Sequence, residues 1–138
     1  MKKILLIGGS HGIGHSIVKE LQETHNIFVA SRTDESLNHK NINHLKFDVT
    51  SDELKVSKLP EKIDGFVYCP GSINLKPFKM MSLDTIREDM ELNFFSMVKV
   101  VKEIIPRMDK GSSMVFFSTI AVSTGMPFHT SVAAAKGA

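Results

Sequence analysis

Apolar positions follow two rhythms that alternate along the chain. Short, densely apolar runs at residues 4–7, 27–30, 44–48, 65–68 and 113–118 have the length of buried strands. Between them, apolar residues recur at three- and four-residue spacing. Ile13, Ile17, Val18 and Leu21 mark a helix over 12–24, a weaker pattern covers 35–39, and 51–57 predicts a short helix capped by Ser51 or Asp52. The longest helical stretch spans 82–108, as one helix or two nearly continuous ones. Its stripe is Leu83, Ile86, Met90, Phe94, Val98, Val101 and Ile105. A last helix runs over 131–138. Strands that are apolar throughout belong to a parallel sheet covered on both faces. Joined by helices through right-handed crossovers, they predict a doubly wound α/β fold.

Composition narrows the function classes. The 138 residues, 42% of them apolar, suit one globular domain with a sizeable core. A net charge of +2, no Trp and one Tyr argue against a nucleic-acid partner. The apolar run behind Lys2 and Lys3 is stopped by glycine after Ile7, too soon for a secretory leader. No stretch reaches the roughly 18 apolar residues of a membrane span. Cys69 is the only cysteine, which excludes an internal disulfide and fits a reducing, cytoplasmic setting. The six histidines are scattered without ligand spacing, so no metal site is expected.

The segment IGGSHGIGHS, between the first strand and the first helix, carries the candidate chemistry. Gly8, Gly9, Gly12 and Gly14 let the backbone turn sharply beside a helix N-terminus, whose N–H groups and positive dipole end suit a phosphate. From Gly9 to Ser16 it nearly matches a P-loop, but His15 stands where the phosphate-binding lysine belongs, which disfavours a nucleotide triphosphatase.

The loop resembles more closely the T-G-x-x-x-G-x-G cofactor loop of the short-chain dehydrogenase/reductase family, with Ile7 in place of threonine. Other motifs of that family follow in order. FDVTSDE places Asp48 and Val49 where the family has an Asp that meets the adenine ring. Tyr68-Cys69-Pro70-Gly71 occupies the place of N-N-A-G and keeps only the glycine, and ELNFFSMVKVVKEIIPRM sets Asn93 and Pro106 at the family separation. The resemblance spans the whole chain and implies a Rossmann-type sheet with five of an expected seven strands. Residues 1–138 would then be a single dinucleotide-binding domain, the N-terminal part of a longer chain. It implies cofactor contacts at Gly8, Ser10, His11, Gly12, Ile13, Gly14, Asp48, Val49, Cys69, Gly71 and Lys136. At the end of the second strand, where an acidic residue would select NAD, stand Ser31 and Arg32. Arg32, with His11 nearby, favours NADP(H) over NAD(H); Asp34, which could serve NAD, falls beyond the strand end.

The same family uses Ser, Tyr and Lys, the last two as Y-x-x-x-K, with an Asn in a proton relay. Lys136 matches the lysine, but Val132 stands four residues earlier, where the tyrosine is expected. The serine lies 13 residues before the tyrosine, which points to Thr119 (132 − 119 = 13), with Ser118 adjacent. Either hydroxyl could meet a substrate oxygen or simply satisfy a turn. His129, three residues before Val132, is the candidate replacement acid, since imidazole titrates near neutral pH. Tyr68 and Cys69 read as packing residues. The resemblance thus implies an oxidoreductase passing a hydride between nicotinamide and a small carbonyl or alcohol, using Asn93, Ser118, Thr119, His129 and Lys136. The alternative is an NAD(P)-binding sensor or structural module without catalysis. Family members pair through the long helix and the lysine-bearing helix as homodimers or homotetramers, and Phe94, Phe95, Met97 and Val101 are numerous enough to cover both the sheet and a partner.

Overall fold

The computed structural model describes all residues, 1–138. Five strands form one parallel sheet: β1 (Lys3–Ile7), β2 (Asn26–Ser31), β3 (Ile42–Lys46), β4 (Gly65–Tyr68) and β5 (Ser113–Phe116), in the order β3-β2-β1-β4-β5. The helices are α1 (Gly12–Leu21), α2 (Leu83–Met90), α3 (Ser96–Ile104) and α4 (Thr130–Gly137). This is the doubly wound architecture that the pattern predicts. No helix is long and apolar enough to cross a membrane.

The period of two along β1 builds the core. Ile4 and Leu6 join Val18 of α1 and Val29 of β2 on one face, while Leu5 and Ile7 join Phe66 of β4 and Val100 and Ile104 of α3 on the other. Leu5, Leu6, Phe66 and Ile104 are wholly buried, each contributing about 1.5–3 kcal/mol of burial free energy.

The long helical region is continuous but uneven. Ser82 caps α2 by accepting a hydrogen bond from the Thr85 amide at 3.1 Å. A π-turn over Glu91–Phe95 joins α2 to α3, and the Tyr68 hydroxyl donates to the Leu92 carbonyl within it at 2.8 Å. The buried line along this region is Asp89, Asn93, Ser96, Val100 and Ile104, one or two residues before the members of the apolar stripe. Leu83 and Ile105, placed on the core side by the stripe, are 59% and 54% exposed. The first half of the buried line is polar and packs towards α4, so hydrophobicity alone could not locate it.

Two predicted helices do not form. Over 35–39, Ser36 takes φ +64° and Leu37 turns into the core beside Leu6 and Val29, which ends any helix there. Over 51–57, the Asp52 carboxylate reaches back to the Asp48 amide at 2.6 Å and closes a turn. Leu54 and Leu59 are both held in the core, and only a single 3-10 turn, Val56–Lys58, lies between them. Strand three keeps the predicted length but lies two residues earlier, at Ile42–Lys46, and strand five ends early at Phe116, so Asp48 and Ser118 lie beyond the ladder.

The glycine loop positions α1 against β1. Gly8 has φ +82°, and a Cβ on Gly14 would overlap the Gly8 carbonyl oxygen. Gly14→Ala is therefore expected to lower stability by roughly 2 kcal/mol, read as a shifted urea midpoint with an unchanged slope. A midpoint equal to the wild type would show that the loop does not need this approach.

Candidate functional site

Strand order reverses direction at β1, with β2 and β4 on its two sides, and the loops leaving the carboxyl ends of these strands diverge there. Between them lies a cleft of about 310 Å³. Gly8, Ser10 and His11 form its floor from the glycine loop, Ser31 and Arg32 enter after β2, and Asp48 and Val49 after β3. Cys69, Pro70 and Gly71 enter after β4, with Leu92 from the π-turn. Gly12, Ile13 and Gly14 form the first turn of α1 directly behind the loop, with Ile13 exposed.

On the β2 side, Ser31 is buried and its hydroxyl donates to the Thr33 carbonyl at 2.6 Å, with the His44 ring 3.0 Å away. That hydrogen is already placed, so Arg32, exposed beside it, is the donor left for an anion. Asp34 sits in the following exposed turn and does not line the cleft. The Asp48 carboxylate accepts from the Thr50 hydroxyl at 2.7 Å and the Thr50 amide at 3.0 Å. These bonds, with a smaller contribution from Arg32, hold its carboxyl below the ordinary range. His11 bonds Ser10 at 2.9 Å and stands 3.9 Å from Glu35.

On the β4 side, three distant parts of the chain meet over Gly71. A Cβ there would stand 3.1 Å from Lys136 Nζ and 3.2 Å from Asn93 Oδ1, so a larger residue would press on both. Asn93 Nδ2 donates to the Asp89 carbonyl at 2.8 Å and to the Ser72 hydroxyl at 3.1 Å. A carbonyl can only accept, which fixes the orientation of the amide. Its oxygen then faces Gly71, buried and without a partner. An orphaned acceptor beside an ammonium group fits a ligand bearing hydroxyls, and Arg32 across β1 fits an anionic far end. Residues of this kind suit a dinucleotide.

Burial lowers the Lys136 ammonium from its ordinary pKa, with Cys69 opposing, and burial pushes the Cys69 thiol up to about 11, with Lys136 opposing. Burial, followed by the Glu91 charge, pushes the Tyr68 phenol upward. With its hydroxyl bound to the π-turn, Tyr68 is an anchor for Leu92, in line with a packing role.

The remaining candidates gather around α4. Val132, at the position of the expected tyrosine, is 3% exposed. The Ser118 hydroxyl reaches the Lys136 carbonyl at 3.4 Å, and Thr119 accepts from the Ala121 amide at 3.3 Å, capping a turn. The His129 ring bonds the Pro127 carbonyl through Nδ1 at 2.6 Å, which leaves Nε2 as its acceptor. Phe128 before it takes φ +66°, an uncommon backbone for a bulky residue. Structure thus brings Asn93, Gly71 and Lys136 together, while His129 makes no bond to them.

Sequence reading passed over one cluster. Asp89 is wholly buried, and its carboxylate accepts from the Ser72 and Ser131 hydroxyls and from the Asn74 amide. Its signal was available: Asp89 lies one helical turn before Asn93, on the same face.

The Cys69 environment is open to measurement. Alkylation by iodoacetamide at pH 8 should run about a hundredfold slower than for a free thiol and rise with pH towards 11. Lys136→Met should slow it further at each pH, because the ammonium favours the thiolate. A rate matching free cysteine at pH 8 would refute the burial argument.

The family model for short chain dehydrogenases matches residues 2–138. No curated protein sequence matches the chain. Among solved structures, a short chain dehydrogenase family protein from Francisella tularensis subsp. tularensis SCHU S4 superposes with a TM-score of 0.89 at 21% identity, over 99% of this chain and 59% of that one. A short chain dehydrogenase/reductase from Saccharomyces cerevisiae gives 0.87 at 23%, over 99% of this chain and 61% of that one. A 4-hydroxyisoleucine dehydrogenase complexed with NADH and succinate gives 0.81 at 18%, over 97% and 66%. The chain therefore spans 59% to 66% of the length of these three structures, and at such identities the likeness to them is one of fold. The family model, the doubly wound sheet and the glycine-lined cleft agree: the chain belongs to the short-chain dehydrogenase family.

Proposed function

We propose that this chain forms the cofactor-binding part of an NADP(H)-dependent oxidoreductase that acts on a small carbonyl or alcohol with an altered proton donor. The observation that carries the reading is the meeting of Lys136 and the unpartnered Asn93 oxygen over Gly71, at the end of a cleft that begins on the glycine loop. A nicotinamide dinucleotide bound by a relative, the 4-hydroxyisoleucine dehydrogenase with NADH, supports the cofactor class.

In this reading, the amides of Gly8 to Gly14 and the N-terminus of α1 meet the diphosphate. Arg32 meets the 2′-phosphate, with His11 beside it, and Asp48 and Val49 border the adenine. Cys69 and Gly71 form the wall nearest the nicotinamide, and Lys136 holds its ribose. The chemistry a bound nicotinamide supplies is hydride transfer. Ser118 or Thr119 orients the substrate oxygen, Asn93 stabilises the lysine end, and His129, in its protonated form with Nδ1–H held by the Pro127 carbonyl, delivers the proton from Nε2. The single cysteine suits a reducing cytoplasm, and the exposed Phe95 on the long helical region suits a dimer or tetramer. The buried Val132 favours a second reading, an NAD(P)-binding module without catalysis.

Fluorescence titration tests the cofactor. NADPH should bind more tightly than NADH, and Arg32→Ala should weaken NADPH about tenfold or more while leaving NADH unchanged. Tighter NADH, with no effect of Arg32→Ala, overturns the preference. NADPH oxidation by the natural protein across a carbonyl panel tests the chemistry, and His129→Ala should slow it about a hundredfold. An unchanged rate removes His129 as donor. Tight binding with no transfer to any carbonyl selects the non-catalytic module.

A further inference from the structure

We infer that Asp89 is a positioning residue for the nicotinamide end of the cleft, acting through Ser72, Asn93 and Ser131. The inference rests on the dinucleotide reading above and deepens it.

Asp89 is a wholly buried carboxylate with no lysine, arginine or histidine paired to it. Such a group is costly in a fold unless its oxygens are hydrogen-bonded. Both are. Oδ1 receives Ser72 at 2.5 Å and Asn74 at 2.7 Å, both from the loop that follows β4, and Oδ2 receives Ser131 at 2.5 Å from the first turn of α4. One carboxylate on α2 thereby ties together the two segments that carry Gly71 and Lys136.

Donor and acceptor logic carries the effect to the cleft. Ser72 gives its hydrogen to Asp89, so its oxygen is turned to accept from Asn93 Nδ2 at 3.1 Å. The second hydrogen of that amide goes to the Asp89 carbonyl at 2.8 Å. With both amide hydrogens held, Asn93 Oδ1 has one direction left, over Gly71 and beside Lys136 Nζ. Ser131 contributes separately. It lies five residues before Lys136 on α4, and its bond to Asp89 sets the rotation of the helix about its axis, which sets where the lysine emerges. Asp89 does not line the cleft, so it works through these partners and not by contact with a ligand.

The experiment compares a whole dinucleotide with its adenosine half. Wild-type protein should bind NADPH more tightly than 2′,5′-ADP, because only NADPH reaches Gly71 and Lys136. In Asp89→Leu and in the milder Ser72→Ala, NADPH should weaken about tenfold, roughly the loss of one charge-assisted hydrogen bond, and the emission of bound NADPH should shift. Binding of 2′,5′-ADP should stay within twofold of wild type in both, and Asp89→Asn, which keeps one accepting oxygen, should recover part of the NADPH affinity. Ser72→Ala keeps the question answerable if Asp89→Leu fails to fold. Equal weakening of both ligands, or unchanged NADPH binding in Ser72→Ala, would mean that the cluster only stabilises the fold, and overturns the inference. If unmutated protein binds neither NADPH and 2′,5′-ADP nor NADH and 5′-AMP, the dinucleotide reading fails first, and this inference with it.

Discussion

Leu5 and Leu6 sit side by side on β1, point to opposite faces of the sheet and are both wholly excluded from water. That pair of burials constrains the rest of the molecule. A strand apolar on both sides needs a helix layer over each face and a paired strand along each edge, here α1 and α3 with β2 and β4. Parallel pairing sends every connection back across the sheet, so the segments that follow the strands gather at one edge. Because β1 lies where the winding reverses, the loops after β2 and β4 part on either side of it. The cleft is a consequence of the topology, and the glycine loop is its floor because it is the segment that directly follows β1.

Two kinds of interior meet at this cleft. The sheet faces are apolar and closely interleaved, whereas the seam between α2, α4 and the loop after β4 is polar and closed by hydrogen bonds to one carboxylate. Polar seams are directional in a way that apolar packing is not: each donor is matched to an acceptor, and a rotated amide leaves a group unsatisfied. Asn93 shows the result, with two hydrogens committed and one oxygen presented to the cleft. Cys69 and Lys136 share the neighbouring wall. Burial disfavours the charged form of each, and each charge partly relieves the other.

Much of this was legible along the chain, and where it was not, the reason is specific. β4 has the bounds its apolar run predicts, and Ser82 caps α2 as a serine before an apolar-periodic segment should. Eight of the residues expected to meet a cofactor, Gly8, Ser10, His11, Arg32, Asp48, Val49, Cys69 and Gly71, line one cleft. The segment 35–39 misled because Leu37 is drawn into the core by its neighbours, while Ser36 takes up the turn with a left-handed backbone. The stripe from Leu83 to Ile105 misled because burial there follows Asp89 and Asn93, residues that a hydrophobic pattern counts as outside. Ser31 was legible as a cleft residue but not as one whose hydroxyl is already committed to Thr33.

Local chemistry acts over a few residues, and to that range the sequence by itself determined the protein: which runs become strands, where helices are capped, where glycine permits a turn against a helix N-terminus, and that a valine stands one helical turn before Lys136. Contacts between residues far apart in the chain obey no such local rule. The meeting of Gly71, Asn93 and Lys136, the burial of Asp89 among serines 17 and 42 residues away, and the anchoring of the π-turn by Tyr68 all arise only when α2 and α4 pack beside β4. Tertiary structure decided these, because a buried polar group is tolerated only where the whole fold supplies its partner.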